Sequence, residues 1–258
     1  DIFSDDCRDA ILQFKPDVIL HLAATVTIRG SIENFSEDAN QNFLGTAKVI
    51  EAAIQAKTKR FVFTSSMAVY DDSKQPDPIN ESWPIEPLSP YGISKYASEK
   101  LVHLMGRQAG METLVLRLFN TYGTGQVSTP YVGVITIFID KIMAGMPPVI
   151  FGDGEQRRDF VYVGDVSRAC RLAVESKATG MTMNIGTGKS TSVNEIASLL
   201  LQEMDSDLVP EYTASRDEET RNSIADIGLA RQAIQYEPRF TLKDKISEVI
   251  DFKSKTTP

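Results

Sequence analysis

Two cysteines, Cys7 and Cys170, are too few for a disulfide framework. Two histidines, His21 and His103, with no CxxC or HExxH spacing, leave no zinc site, and no metal is expected. No apolar run approaches the ~18 residues of a membrane span, and the acidic start at Asp1 is not a signal peptide. Basic residues are the minority, 27 Lys+Arg against 35 Asp+Glu for a formal charge of −8. The densest basic clusters are pairs and triplets, which argues against nucleic acid as a partner. The sixteen glycines include no GxGxxG or GxxGxxG, so no dinucleotide-binding turn is visible in these residues. What is there is ordinary for a globular chain: 42% hydrophobic and 24% charged residues over 258 positions, enough for one large domain or two small ones. A soluble, cytoplasmic protein is expected.

Helical and extended patterns alternate along the chain. Ser4 to Phe14 opens with a capping residue and two acids, then sets Cys7, Ala10, Ile11 and Phe14 at helical spacing. Asp17–Ala24 is a short apolar run of the kind buried on both faces. Phe35 to Ala56 reads as one long helix, Arg60 to Thr64 as a strand, Tyr91 to Ala109 as a helix and Thr113 to Phe119 as a strand. This alternation predicts an α/β fold with a doubly wound parallel sheet. Between Tyr70 and Tyr91, five prolines exclude a regular element. That stretch holds the only tryptophan, Trp83, and either covers a ligand or merely connects. After about Asn120 the elements shorten, with a helix expected near residues 132–143, which suggests a second, substrate-binding lobe.

The sharpest local feature is Tyr91-Gly-Ile-Ser-Lys95. Tyrosine and lysine four apart at a helix start lie one turn apart on one face. An ammonium beside a phenol favours its ionised form and so makes it a base nearer neutral pH. Such a pair is also common as a plain surface feature, and the context is what distinguishes this one. Ser65 and Ser66 end a predicted parallel strand, where ligands of open α/β sheets bind. A serine hydroxyl, a phenol and an ammonium together can polarise a substrate hydroxyl and take its proton. His21 and His103 as activators of Ser66 are disfavoured, since no GxSxG surrounds the serine. They read instead as a strand-packed and a helix-surface histidine. The Gly186–Ser190 stretch GTGKS lacks the earlier glycine of a phosphate-binding loop.

With these residues on the page, the chain resembles the extended short-chain dehydrogenases/reductases, and within them the nucleotide-sugar epimerases and dehydratases. The resemblance rests on HLAA (21–24), QNFLGT (41–46), FTSSMAVY (63–70), SPYGISK (89–95), RLFNTYG (117–123), FGDGEQRRDFVYVGDV (151–166), NIGTG (184–188) and ADIGLARQAIQYEP (225–238). It implies a Rossmann-like NAD-binding domain over 1–119 whose Gly-rich first βαβ unit is missing. A smaller α/β lobe for the sugar nucleotide follows over 120–258, with segments returning to the first domain. It implies Ser66, Tyr91 and Lys95 as catalytic residues. Asp1, Ile2, Leu22, Ala23, Ala24, Asn42 and Ser65, with Tyr91 and Lys95, are implied around NAD. Around the substrate it implies Ser66, Asn120, Arg158, Arg216 and Ser223, with Arg221 an alternative to Arg216.

The activity implied is NAD-dependent 4-epimerisation of a UDP-sugar through a transient 4-keto intermediate. The 4,6-dehydratases and uronate decarboxylases share the same three catalytic residues and remain alternatives. They carry acidic residues after the first motif, where this chain has Met67-Ala68. Small Ser223 at the position that gates the sugar C2 substituent implies that N-acetylated sugars are admitted. A homodimer through the helices around 35–56 and 91–109 is implied, as is weak NAD binding by a chain without the Gly-rich unit. A sugar-nucleotide-binding module with impaired catalysis is the non-enzyme alternative.

Overall fold

The computed structural model describes residues 1–73, 75, 77–126, 133–215 and 220–256. Helix α1 (Asp5–Phe14) starts where Ser4 Oγ accepts the Cys7 amide at 3.3 Å, with Asp5 and Asp6 facing the positive helix end. Strand β1 (Val18–His21) follows, then helices α2 (Ile28–Glu33) and α3 (Phe35–Asp38). The long helix expected over 35–56 is present with an interruption. A π-helical stretch, Ala39–Leu44, separates α3 from α4 (Gly45–Gln55).

Strand β2 (Arg60–Ser66) runs parallel to β1 and leads into a single 3-10 turn, Met67–Val69. Helix α5 (Pro90–Ala109) is bounded by local chemistry at both ends. Ser89 Oγ accepts the Gly92 amide at 3.1 Å, Pro90 sits at the first position, and Gly110 closes the helix at φ 67°. Strand β3 (Glu112–Leu118) completes the next crossover. The remaining elements are β4 (Asn120–Tyr122), α6 (Val134–Met143), β5 (Val149–Phe151), β6 (Arg157–Arg158), β7 (Phe160–Tyr162), α7 (Val163–Glu175), β8 (Met181–Ile185), β9 (Thr191–Ser192), α8 (Val193–Glu203), β10 (Glu211–Thr213), β11 (Asn222–Ser223), α9 (Gly228–Ile234) and α10 (Leu242–Thr256).

The main sheet has the order β1-β2-β3-β8, all parallel. One face, with Val62, Leu114, Leu116, Met183 and Ile185, packs on Val166, Ala169 and Ala173 of α7 and Ala230 and Ile234 of α9. The other, with Phe61, Phe63 and Val115, packs on Val49, Ile50 and Ala53 of α4 and Val102 of α5. Both faces are covered by helices, so the doubly wound α/β class is what the chain adopts. A separate core joins Phe138 and Ile139 of α6, Ile196 and Leu200 of α8, and Ile246 and Val249 of α10. Strand β8, late in the sequence, returns to the main sheet.

Three details differ from the sequence reading. Phe14 is 81% exposed and α1 fully buries none of its residues; of its apolar stripe, Ile11 packs against the core beneath α4 while Phe14 stays out of it. The 70–91 stretch is pinned at two bridges, Ser73 to Asn222 and Ile79 to Ala225, and Trp83 packs against the first core. It ties the sheet to the later segments. His103 is not on a bare helix surface: its ring nitrogens lie 3.0 Å from Thr113 Oγ1 and 3.0 Å from Thr182 Oγ1, between α5 and the sheet.

Candidate active site

Ser66 ends β2, and its Oγ accepts the Ala68 amide at 3.2 Å, which turns the chain out of the strand. Tyr91 and Lys95 occupy the first turns of α5. Gly92 between them explains how the two elements meet. A Cβ there would stand 2.2 Å from the Ala68 carbonyl oxygen, so only glycine lets α5 rest on the 67–69 turn. The Tyr91 amide donates to Ser31 Oγ at 3.2 Å, which fixes the helix start from the α2 side.

Burial dominates the electrostatics. The Tyr91 phenol is pushed up to about 12 by burial and by the Asp38 carboxylate, while the Ser66 hydroxyl beside it pulls the other way. Burial pulls Lys95 down to about 8, against the charges of Glu99 and Asp38. Its ammonium lies 4.4 Å from the centre of the Phe63 ring. The sequence reading had the ammonium favouring the phenolate. In the structure burial sets the phenol instead, because removing Tyr91 from water costs the charged form. His21 is buried against Phe61 and Phe63 with Nε2 3.0 Å from Thr46 Oγ1, and burial pulls it down to about 4. It stays neutral and takes no part in activating Ser66.

Behind this pair lies a buried network absent from the sequence reading. Asp38 accepts the Ser94 hydroxyl at 2.7 Å and the Asn42 amide at 2.8 Å. Asn42 in turn exchanges two hydrogen bonds, both 2.9 Å, with the Thr25 backbone. Asn42, expected at the cofactor, thus spends its side chain on holding the loop after β1. The four-residue step from Asp38 to Asn42 was the signal available in the sequence.

At the carboxyl end of β1, Leu22 is 55% exposed and begins an open apolar ledge with Ala23 and Ala24. Ser65, on the same face of β2 as Phe63, has a buried hydroxyl with no hydrogen-bond partner. Asp1 and Ile2 lie in the turn that precedes α1. Asp1 Oδ1 accepts the Phe3 amide at 2.9 Å, and Ile2 packs toward Gly45 of α4.

Of the residues expected around the substrate, Asn120, Arg158 and Ser223 converge around β4, β6 and β11. Asn120 Nδ2 donates to Ser223 Oγ at 3.2 Å, and the Asn120 amide donates to the Asp159 carbonyl at 3.0 Å. Ser223, fully buried, pairs in register with Arg158. Arg158 is half-buried, and its Nη1 donates to the carbonyls of Arg157 at 3.0 Å and Arg221 at 3.3 Å. Arg216 lies outside the described residues. Arg221, its alternative, is forked onto Asp153 at 2.8 and 2.9 Å and holds that carboxyl down at about 2. Asp159, unnoticed in the sequence, accepts from the amides of Thr187, Gly188 and Ala225 and from the Thr187 hydroxyl. It binds two separate segments, 187–188 and the chain at Ala225, beneath Asn120 and Ser223.

Ser66 ends β2 and Asn120 stands just past the end of the neighbouring parallel β3, so the hydroxyl beside Tyr91 and the polar cradle lie at the same carboxyl edge of the sheet. Such a set can hold a hydroxylated anionic ligand and move a proton at one of its hydroxyls. Among the described residues no cluster of His, Cys, Asp and Glu suits a metal ion, and no helix is long and apolar enough to cross a membrane.

Comparison with known proteins places this geometry. A sequence profile of the NAD dependent epimerase/dehydratase family matches residues 1–186. A Methanocaldococcus jannaschii protein described provisionally as a UDP-glucose 4-epimerase is 40% identical over 96% of this chain and 81% of its own length. The UDP-glucose 4-epimerase of Thermotoga maritima, solved with UDP-glucose, superposes with a TM-score of 0.93 at 34% identity, over 99% of this chain and 83% of that one. The UDP-N-acetylglucosamine 4-epimerase of Methanobrevibacter ruminantium gives 0.93 at 29%, over 100% and 82%.

Proposed function

Because this chain belongs to the NAD dependent epimerase/dehydratase family, we propose that it carries out NAD-dependent 4-epimerisation of a UDP-sugar through a transient 4-keto intermediate. The observation that carries this is the meeting of Tyr91 and Lys95 on α5 with Ser66 on β2, beside Met67 and Ala68, which offer no carboxylate. Elimination of water needs an additional acid and base at that place, so simple oxidation and re-reduction is the chemistry these side chains serve. That favours epimerisation over the dehydratase and decarboxylase alternatives.

The residues present fit the nicotinamide end of NAD: the open ledge Leu22–Ala24, the unpartnered Ser65 hydroxyl and the Lys95 ammonium. NAD, when bound, supplies the acceptor for the hydride of the sugar C4 and a positive ring charge. Tyr91 takes the proton of the C4 hydroxyl as general base, and returns it when the carbonyl is reduced. Ser66 donates a hydrogen bond to the oxygen as it becomes a carbonyl, an interaction that tightens toward the transition state. Lys95 holds positive charge on the same helix face, which favours the ionised form of Tyr91 that must be present before it can accept the proton. Asn120 and Arg158 hold the diphosphate, with Arg216 assigned there on sequence alone. Ser223 lies buried against Asn120, and its small side chain supports admission of an N-acetyl group as well as a hydroxyl at C2.

Residues 1–119 form the cofactor-binding body, to which β8 returns, and the rest of 120–258 forms mainly the substrate lobe. A cytoplasmic homodimer, joined through the helices around 35–56 and 91–109, completes the reading. A proton NMR time course with NAD and UDP-glucose or UDP-N-acetylglucosamine tests it. It is run on this chain alone and joined to the part of the Thermotoga maritima enzyme it does not cover. The anomeric signal of the 4-epimer is expected. A 4-keto-6-deoxy product, or no product from the joined protein, would overturn the proposal.

A further inference from the structure

We propose that Asp38 is a positioning residue for the Tyr91–Lys95 pair: from the junction of α3 with the π-helical stretch it grips Ser94 of α5 and Asn42 at once, locking the catalytic helix to the loop after β1. The inference rests on the functional reading of Tyr91 and Lys95 given above.

The geometry supporting it is continuous. Ser94 lies between Tyr91 and Lys95 in sequence, and its hydroxyl reaches Asp38 Oδ2 at 2.7 Å. The other carboxylate oxygen takes the Asn42 amide at 2.8 Å, and Asn42 is doubly hydrogen-bonded to Thr25. Asp38 is 3% exposed, and Ser94 and Asn42 are also buried. A buried carboxylate with only neutral hydrogen-bond donors on its oxygens is costly. It is retained here where its charge reaches two functional groups, raising both the Lys95 ammonium and the Tyr91 phenol. The π-helical turn next to it is itself a rare conformation that recurs at functional sites.

The charged and titratable groups around Lys95 can be named element by element. Asp38 comes from the helix preceding α4, Glu99 and Tyr91 from α5 itself, and His21, held neutral by burial, from β1. Strand β2 presents the uncharged Phe63 ring. Of the two anions, Asp38 alone also bears on Tyr91. Glu99 is already engaged in a bidentate pair with Arg117 at 2.9 and 2.7 Å. Asp38 is therefore the anion whose removal changes the reacting pair most directly.

Two variants test this. The titration of Lys95, followed by NMR of labelled lysine side chains in the chain without substrate, should move down by about one pH unit in Asp38→Asn. In Ser94→Ala, which keeps the charge but cuts the link to α5, the titration should stay in place. The same Ser94→Ala protein should lose about 10-fold in kcat with KM changed less than about 2-fold, the signature of misplacement at the reacting atoms. An unshifted Lys95 in Asp38→Asn, or a parent-like kcat in Ser94→Ala, would overturn the proposal. Should Asp38→Asn not fold, Ser94→Ala decides alone. A joined protein that turns over no UDP-sugar would overturn the functional reading, and the substrate-free titration would still decide for or against Asp38.

Discussion

Lys95 and Arg158 are both cations near the carboxyl edge of the strands, yet they are housed in opposite ways. Lys95 is 2% exposed, set over the Phe63 ring, and burial draws it down to about 8. Arg158 is half-buried and braced by the backbone carbonyls of Arg157 and Arg221. A group that must influence a proton transfer gains from desolvation, which makes its charge felt at short range. A group that must grip a phosphate gains from a charge that is never lost, which arginine supplies at any working pH. The proposed cofactor side is thus buried around Lys95, and the proposed substrate side half-buried around Arg158 and stiffened from beneath by Asp159.

The strongest way to break this comparison is at the buried side. Tyr91→Phe removes the proton acceptor while keeping the ring that fills the pocket. A loss of about 10³-fold in kcat is expected, with an unchanged melting temperature. A loss under 10-fold would move the proton chemistry elsewhere. Lys95→Met comes next, and separates chemistry from stability. Turnover should fall by about 10²-fold, yet the protein should become more stable at neutral pH, because a cation held below its ordinary range by burial works against folding. The sign follows from linkage. The unfolded chain holds the Lys95 proton up to about 10.5 and the folded chain only up to about 8, so stability gained from this group rises as pH goes from 8 to 10. Parent and Lys95→Met melting temperatures measured over that interval should converge.

On the other side, Asp159→Ala leaves the amides of Thr187, Gly188 and Ala225 without their acceptor. A loss of about 3 kcal/mol in urea unfolding is expected, with a raised KM as Asn120 and Ser223 lose their support. Arg158→Ala should have the smallest effect, raising KM for the UDP-sugar about 10-fold with kcat within about 3-fold. A kcat loss that matched Tyr91→Phe would erase the division between the two sides.

What could be read from the sequence was what local physics controls. The Ser4 and Ser89 caps, the apolar run at 60–64 and the Tyr91–Lys95 spacing depend on near neighbours in the chain, and the elements stand close to where that pattern puts them. What escaped depends on distant segments. The His103 ring finds Thr182, 79 positions away, so no helical pattern could reveal it. The Tyr91 phenol moved up rather than down because of burial, which the whole fold sets. Asp159 gave no local sign of burial, since its partners come from other segments, and Asp38 showed only its four-residue step to Asn42, its link to Ser94 lying 56 positions away. Phe14 showed the reverse error: its spacing suggested a packed face, and among the described residues nothing covers it.

The central claim is that the hydrogen on C4 leaves and returns as hydride within one site. UDP-glucose carrying deuterium at C4 tests it most directly, with the product analysed by NMR and mass spectrometry. The expected result is deuterium retained at C4 of the 4-epimer with no exchange into solvent. Label washed out to water, or carried to C6, would contradict it.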